Sequence, residues 1–483
     1  MKLCELCRAA DVYCPDDKGE LEITQVTCDS RRVVSGGLYV CLSGKHDDGE
    51  KYCGEAIKNG AAEILHTSVE CGELYSDDTR LAYARLCMKM YGAGCEKLKL
   101  IAVTGTNGKT TVTELLRNIF TEAGYKCGTV GTLGIRTPSA RLDNRNMTTP
   151  DPEELYRALS EMAAQGCEYV FIEASSHALA LKKLDALEFE LGIFTNLTRD
   201  HLDFHLTEKN YFEAKQRLAG LSKRIITNID TKHGKEFCIN ALTCSQNTDA
   251  DFRATNVKYG IDGVSYTLNS SIDIRCRIPG RFTAMNSLEA AAAALTLGIK
   301  PSDIQNALSN TTSVFGRLER VDLPCGADVS VFIDYAHTPD ALENLLLSVR
   351  DFADGRRIVL VFGCGGDRDR GKRKLMGAVA TKYADFTVVT SDNSRSEEPR
   401  DIIEEILKGI DKEKRYTVIE NRLDAIRYVI NESCSGDIII LAGKGHEKYE
   451  IDKNGKHVFD EALAVRKAWT EYEGNSQKQK NKS

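Results

Sequence analysis

Residues 98–111 read LKLIAVTGTNGKTT. Leu98, Leu100, Ile101, Ala102 and Val103 make a short apolar run of the kind that forms a buried parallel strand. Gly105-Thr106-Asn107-Gly108-Lys109-Thr110-Thr111 follows at once, and then Val112, Leu115, Leu116, Ile119 and Phe120 fall on one helical face. Strand, glycine loop and helix is the setting of a phosphate-binding loop. Its glycines let backbone N–H groups turn inward toward anionic oxygens, and the helix N-terminus favours negative charge. Lys109 supplies a point charge for the outer phosphates and Thr110 a hydroxyl for Mg²⁺. The spacing is shorter than usual, Gly105 preceding Gly108-Lys109 by two residues with Thr104 in front. ATP or GTP binding is the first expectation.

Outward from that loop, a chain of 483 residues exceeds one hydrophobic core and predicts about three domains. A net charge of −7 disfavours nucleic acid as a partner. No apolar run approaches the roughly 18 residues of a membrane span, and charges break up any apolar core in MKLCELCRAADVYC, so neither membrane insertion nor a signal peptide is expected. The 17 cysteines sit mostly in apolar runs and read as free thiols of a reducing cytoplasm. Cys4 and Cys7 form a C-x₂-C without a second tight pair to complete a zinc site.

Residues 1–96 read as a first unit, with strands over Leu21–Cys28 and Leu38–Leu42 and polar loops at Cys28–Arg32 and Gly44–Gly49. Residues 97–315 form the second unit around the phosphate loop. Asn146-Met147-Thr148-Thr149-Pro150 is a polar turn before a helix. Tyr169–Ile172 is a strand ending in Glu173, a carboxylate placed to hold Mg²⁺. Asp200, His201, Asp203 and His205 form a dense polar cluster suited to metal or phosphate. Lys215 lies on a helix and reads as a surface lysine, and Asn286 is expected near the start of an Ala-rich helix over 287–297. Residues 316–483 alternate strand and helix, which predicts a doubly wound sheet with its site in the loops after the strand carboxyl ends. Those loops are Asp334–Pro339, Gly363–Arg370, Ser391–Arg395 and Gly443–Glu447. The polar tail from Gly474 is expected to be disordered.

Taken in order, GTNGKTT, TTP, EASSH, NLTRDHLDFH, GRF, GRLER, DYAHTPD, GCGGDRDRGKR, DNSR and GKGHE span nearly the whole chain and resemble the Mur ligase family of peptidoglycan synthesis. The resemblance implies an α/β fold of three domains: an N-terminal UDP-binding domain (1–96), a central P-loop ATPase domain with a mostly parallel sheet (97–315), and a C-terminal Rossmann-like amino-acid-binding domain (316–483). It implies a cytoplasmic, monomeric, ATP-dependent ligase. Gly105, Thr106, Asn107, Gly108, Lys109, Thr110 and Thr111 would bind the ATP phosphates, and Asn286, Arg317, Asp334 and His337 would lie around adenine, ribose and phosphates. Thr110, Glu173 and His201 would hold Mg²⁺, and Lys215 would carry a CO₂-derived carbamate ligating a second Mg²⁺. Lys109, Glu173, His201 and Lys215 are thus the catalytic set. Ser30, Thr148, Thr149, Ser175 and Lys183 would contact the UDP-N-acetylmuramoyl-L-alanyl-D-glutamate acceptor. Arg368, Asp392, Asn393, Ser394, Arg395, Gly443 and Glu447 would form the pocket for the incoming amino acid.

Arg395 is suited to grip a distal carboxylate with two parallel hydrogen bonds, which selects meso-diaminopimelate over L-lysine. This sequence departs from the family pattern at Met147, Leu181 and Ser394, where Asn, Gln and Pro are usual. The alternatives are L-lysine as the added residue, a folylpolyglutamate-synthase-like ligase, and a nucleotide-binding homologue without catalysis.

Overall fold

The structure, a computed structural model, describes residues 1–44, 48–142, 147–324 and 327–480. Lys45, His46 and Asp47 of the first polar loop and Asn146 before the Thr pair lie outside the described residues. The chain divides into two compact units: Met1–Phe252 with Glu289–Ile304, and Arg253–Leu288 with Gln305–Ser483.

In the first unit, three short parallel strands, Gln25–Thr27, Gly37–Val40 and Ala61–Leu65, make a small sheet whose register sets Val26 against Leu38 and Tyr39 against Ile64. A larger sheet orders its strands Leu242–Ser245, Ile225–Asn228, Leu191–Phe194, Lys99–Thr104, Tyr169–Glu173, Cys127–Gly131, Gly134–Arg136 and Arg141–Leu142. The pairings from Leu242–Ser245 through Cys127–Gly131 are parallel, and the hairpin strands after Cys127–Gly131 are antiparallel. Lys99–Thr104 therefore runs between Tyr169–Glu173 and Leu191–Phe194, and its Val103 pairs with Glu173 on one side and Ile193 on the other. That register brings the phosphate loop, Glu173 and the segment after Phe194 to one carboxyl edge.

The expected helix after the loop spans Lys109–Glu122 and buries Val112, Leu115, Leu116, Ile119 and Phe120. Phe120 has no exposure and packs on Tyr169 and Phe171, with ring centroids 4.5 and 5.2 Å away. Truncating such a ring to Ala costs about 3–5 kcal/mol. The loop is thus anchored at both ends by apolar contacts that carry no chemistry of their own.

The second unit opens with antiparallel strands Phe252–Gly260, Gly263–Leu268 and Ile272–Cys276. Its main sheet orders Glu319–Arg320, Ser330–Asp334, Ile438–Ala442, Ile358–Phe362, Phe386–Val389 and Tyr416–Val418, all parallel except the first. Side chains alternate between faces. Phe332, Leu360 and Ile440 join one apolar cluster with helix Pro339–Ala353, while Val331, Val359 and Ile439 join another with helix Arg422–Asn431. Such two-sided burial makes the strands read as near-continuous apolar runs. Asp334 and Phe362 both pair with Ala442, so three loops leave the sheet at the same level. The reversal of strand order around Ile438–Ala442 is the crevice where such sheets bind ligands.

Two expectations are corrected. The Ala-rich helix begins at Arg281, not near Asn286, so Asn286 sits in its second turn. The tail from Gly474 continues helix Glu461–Lys480 rather than leaving it, the last three residues lying outside the described ones.

Candidate functional site

Gly105 and Gly108 have φ of +150° and +91°, and Gly108 caps the helix Lys109–Glu122 from the left-handed region. A Cβ on Gly105 would run into Thr195 Oγ1 and lie 3.1 Å from the Asn196 backbone, so only glycine lets the loop pass there. The segment after Leu191–Phe194 pins the loop. Asn196 Oδ1 accepts from Asn107 N at 2.9 Å, its Nδ2 donates to Asn107 O at 3.2 Å, and Thr195 Oγ1 donates to Asn107 O at 2.6 Å. Thr198 N donates to Thr106 Oγ1 at 3.0 Å.

Lys109 Nζ donates to Gly105 O and Thr106 O, both at 2.9 Å. Lys215, expected on the surface from its helical pattern alone, is 1% exposed and donates to the same Gly105 O at 2.7 Å. It comes from helix Glu208–Gly220 and lies 4.5 Å from the centroid of the Tyr211 ring. Burial, then the neighbouring Lys109 charge, push its amine well below the ordinary lysine value of 10.5.

Thr110 Oγ1 donates to Glu173 Oε2 at 3.0 Å. The buried Glu173 also accepts from Thr132 Oγ1 at 3.0 Å and Thr132 N at 2.9 Å. These are hard oxygen donors side by side, the kind of set Mg²⁺ takes. His201 is held at φ +51° near Asp200, at 3.5 Å; its side chain is 47% exposed, and partial desolvation, helped by Lys109 and Lys215 and opposed by Asp200, lowers its pKa. His177 packs edge-on to it at 4.9 Å and is pushed down to about 4, chiefly by burial and then by His201. Both imidazoles are therefore biased toward the neutral, lone-pair-bearing form.

Thr148 and Thr149 border the same edge. Thr148 Oγ1 lies 3.1 Å from Thr132 Oγ1, and Thr149 Oγ1 donates to Glu173 O at 2.7 Å and Ser175 Oγ at 3.1 Å. Ser175 in turn caps helix Ser176–Ala180 by accepting from Ala178 N. Lys183 Nζ pairs with Asp151 at 2.7 Å and reaches Met147 Sδ at 3.8 Å, so the departure at Met147 puts a thioether against this lysine. Ser30 opens the single helical turn Ser30–Arg32 between strands Gln25–Thr27 and Gly37–Val40, where its hydroxyl bonds Glu55 and its carbonyl accepts from Asn59 at 2.9 Å.

The second unit gathers the other group. Asp334 accepts from Leu318 N at 2.7 Å and Ala336 N at 2.8 Å, and burial raises its pKa while Arg317 opposes that. The Arg317 guanidinium lies 4.9 Å from the Tyr335 ring centroid, and His337 packs on the same ring at 4.6 Å. Asn393 Nδ2 donates to Glu447 Oε2 at 2.7 Å, and its Oδ1 accepts from Lys444 Nζ and Ile451 N at 3.0 Å each. Asp392 sits under Gly443, where a Cβ would lie 2.7 Å from Oδ2. Burial works against its ionisation, but Lys444 and Arg422 hold its pKa below the ordinary value.

Arg395 is held at φ +52°, with Nη1 donating to Gly366 O at 2.8 Å and Asn393 O at 3.3 Å. Its Nε and Nη2 have no protein partner among the described residues. Ser394 is 4% exposed with its carbonyl accepting from Glu397 N at 3.0 Å, so the turn forms without proline. Arg368 Nη1 donates to Asp367 O at 3.2 Å. Asn286, in the second turn of its helix, is buried.

Sequence reasoning missed Asn196, the Thr195 hydroxyl and Lys444. NLT and GKGHE were legible as motifs, but only the fold aims Asn196 at the phosphate loop and closes Lys444 over Asn393.

Two family models match the chain, the Mur ligase middle domain over residues 103–294 and the Mur ligase glutamate ligase domain over residues 316–445. A UDP-N-acetylmuramoyl-L-alanyl-D-glutamate–2,6-diaminopimelate ligase of Syntrophomonas wolfei is 41% identical over 480 residues, covering 95% of this chain and 97% of its own. The same-named ligase of Clostridioides difficile is 42% identical over 479 residues, covering 95% and 98%. A solved structure of a ligase of that name superposes with a TM-score of 0.70 at 29% identity, covering 97% of this chain and 99% of its own.

Proposed function

The chain belongs to the Mur ligase family, and from that premise we propose that it is the ATP-dependent ligase that adds meso-diaminopimelate to the D-glutamate of UDP-N-acetylmuramoyl-L-alanyl-D-glutamate. Full-length similarity to ligases of that name supports the reaction. The observation that carries the choice of amino acid is Arg395. One nitrogen is tied to the carbonyls of Gly366 and Asn393, and the remaining edge of the guanidinium is left for a carboxylate. Residues 1–96 serve the UDP sugar, 97–315 the ATP and 316–483 the amino acid.

The D-glutamate carboxylate attacks the γ-phosphorus of ATP, ADP leaves, and an acyl phosphate remains. The amine of diaminopimelate then attacks the acyl carbon, phosphate leaves, and the nitrogen loses a proton to give the amide. The first step brings two anions together, so charge must be neutralised where they meet. Lys109 exchanges its loop carbonyls for phosphate oxygens. Thr110, Glu173 and His201 would hold Mg²⁺, which when bound neutralises charge on the phosphates. Lys215, with its amine value depressed, is poised to add to CO₂. The neutral amine nitrogen forms the new C–N bond with CO₂ and loses one proton, and an uncharged buried amine becomes an anionic carbamate able to ligate a second ion. Thr148, Thr149, Ser175, Lys183 and Ser30 orient the acceptor. Asn286, Arg317, Asp334 and His337 receive the rest of the nucleotide. Arg368, Asp392, Asn393, Arg395, Gly443 and Glu447 hold the amino acid.

The test is phosphate release with ATP, Mg²⁺ and the UDP-linked dipeptide, with meso-diaminopimelate and L-lysine supplied in parallel. Turnover is expected with diaminopimelate alone, and discrimination on the order of 10³-fold should collapse in Arg395→Ala. Turnover with lysine would overturn the amino-acid assignment and leave the ligase standing. After incubation with carbon-13 bicarbonate, a carbamate carbonyl resonance absent from Lys215→Arg is the expected sign of the modified lysine.

A further inference from the structure

We propose that Cys41, Glu50, Cys53 and His66, in the small N-terminal sheet, form a structural Zn²⁺ site. One ligand atom from each lies within 4.8 Å of every other. Cys41 Sγ and Cys53 Sγ are 3.5 Å apart, Cys53 Sγ is 3.5 Å from Glu50 Oε2, and His66 Nδ1 is 2.7 Å from the same oxygen. Two sulfurs on one tetrahedral zinc at ~2.3 Å each stand about 3.7 Å apart, which the pair meets with a shift of a few tenths of an ångström. The donors come from three places: Cys41 just after strand Gly37–Val40, Glu50 and Cys53 from consecutive short helices, and His66 just after strand Ala61–Leu65.

Close approaches hold them there. A Cβ on Gly49 would lie 2.6 Å from Leu42 N and 2.9 Å from Cys41 Cα, so glycine lets the helix carrying Glu50 lie on the strand end. A Cβ on Gly72 would lie 2.6 Å from His66 Nε2, so Gly72 lets the chain back the imidazole and present Nδ1 inward. Asp48 Oδ1 accepts from Glu50 N at 3.1 Å, and Glu50 Oε1 accepts from Thr67 N and Thr67 Oγ1 at 2.7 and 2.9 Å, outer contacts that orient a ligating carboxylate. Val33, Tyr39, Ala56 and Ile64 pack around Cys41 and give the site an apolar wall.

Two sulfurs, an imidazole and a carboxylate suit zinc over Mg²⁺ or Ca²⁺, and two cysteines with a single histidine match neither the four-cysteine nor the two-cysteine, two-histidine set of a [2Fe–2S] cluster. Burial raises both thiols above their ordinary value, so binding must release their two protons to solvent, leaving a dication on two thiolates, a carboxylate and a neutral histidine. The ion would staple both strand ends and the helices between them, in a sheet of only three short strands.

The reduced full-length protein, stripped with chelator, is titrated with Co²⁺ alone. The expected result is one equivalent giving a thiolate-to-cobalt charge-transfer band and tetrahedral visible bands, displaced by Zn²⁺. The bands should vanish in Cys53→Ser and persist in Cys71→Ser. X-ray absorption of the zinc-loaded wild type, which needs no variant, should give two sulfurs at about 2.3 Å and two lighter ligands at about 2.0 Å. Absence of a thiolate band, its survival in Cys53→Ser, or closure of a Cys41–Cys53 disulfide in place of metal uptake would overturn the assignment.

Discussion

Lys215 in the first unit and Lys444 in the second are buried to the same degree, 1% and 0% exposed, and have opposite surroundings. Lys444 donates to Asn393 Oδ1 at 3.0 Å and Tyr449 O at 2.9 Å, with the Asp392 carboxylate at 3.5 Å. Cation and counter-charge are buried together, and the pair ties the Ser391–Arg395 loop to the Gly443–Glu447 loop. Lys215 donates to one backbone carbonyl and shares it with a second lysine. Among the described residues it has no carboxylate at ion-pair distance. The lesson is that burial alone does not assign a lysine its role. A buried lysine with a carboxylate holds loops together, and one without has its amine pushed toward the neutral form.

The same substitution at both places tests this most sharply. Lys215→Met should lower turnover on the order of 10²–10³-fold or more while leaving the melting temperature equal or higher, because it replaces a buried amine that has no carboxylate partner among the described residues with an apolar side chain of similar length. A large fall in melting temperature would break the comparison from that side. Lys444→Met should instead destabilise the fold by about 3–5 kcal/mol, since Asp392 is left buried without its lysine. Denaturant midpoints read this directly, and a neutral result would mean that Lys444 is not needed to hold its loops.

A third test is the pH dependence of stability. The native state holds Lys215 well below 10.5, while the unfolded chain keeps the ordinary value. Between those two values the unfolded chain binds more protons, so stability should rise with pH across that window. Lys215→Met should flatten the rise by that contribution, and an unchanged slope would assign it to other groups. The smallest expected effect concerns Tyr211, whose ring lies against Lys215 and whose hydroxyl is 3.1 Å from Thr106 Oγ1. Tyr211→Phe keeps the ring and drops one hydrogen bond, about 0.5–1.5 kcal/mol. A several-fold rise in KM for ATP with an unchanged carbamate signal would separate loop positioning from lysine chemistry.

Much of this is legible in the sequence alone. The apolar run before Gly105, the amphipathic face after Thr111 and the strand ending in Glu173 each depend on neighbours along the chain, and each element formed where its pattern put it. The four-donor cluster of the first sheet was not legible. Cys41, Glu50, Cys53 and His66 follow no compact spacing, unlike the C-x₂-C at Cys4 and Cys7, and only the pairing of the strands brings them together. Asn196 reads as one polar residue in a loop until parallel pairing carries it to Asn107.

The sequence by itself determined the phosphate loop, because positive φ at Gly105 and Gly108 is a local steric matter that glycine alone meets without cost. It determined the strands of the second unit, because two-sided burial writes itself as apolar runs. Only the tertiary structure decided what the ionisable groups are. The character of Lys215 comes from a carbonyl 110 residues away, a neighbouring lysine and the loss of water, and none of these is a property of its own segment of chain.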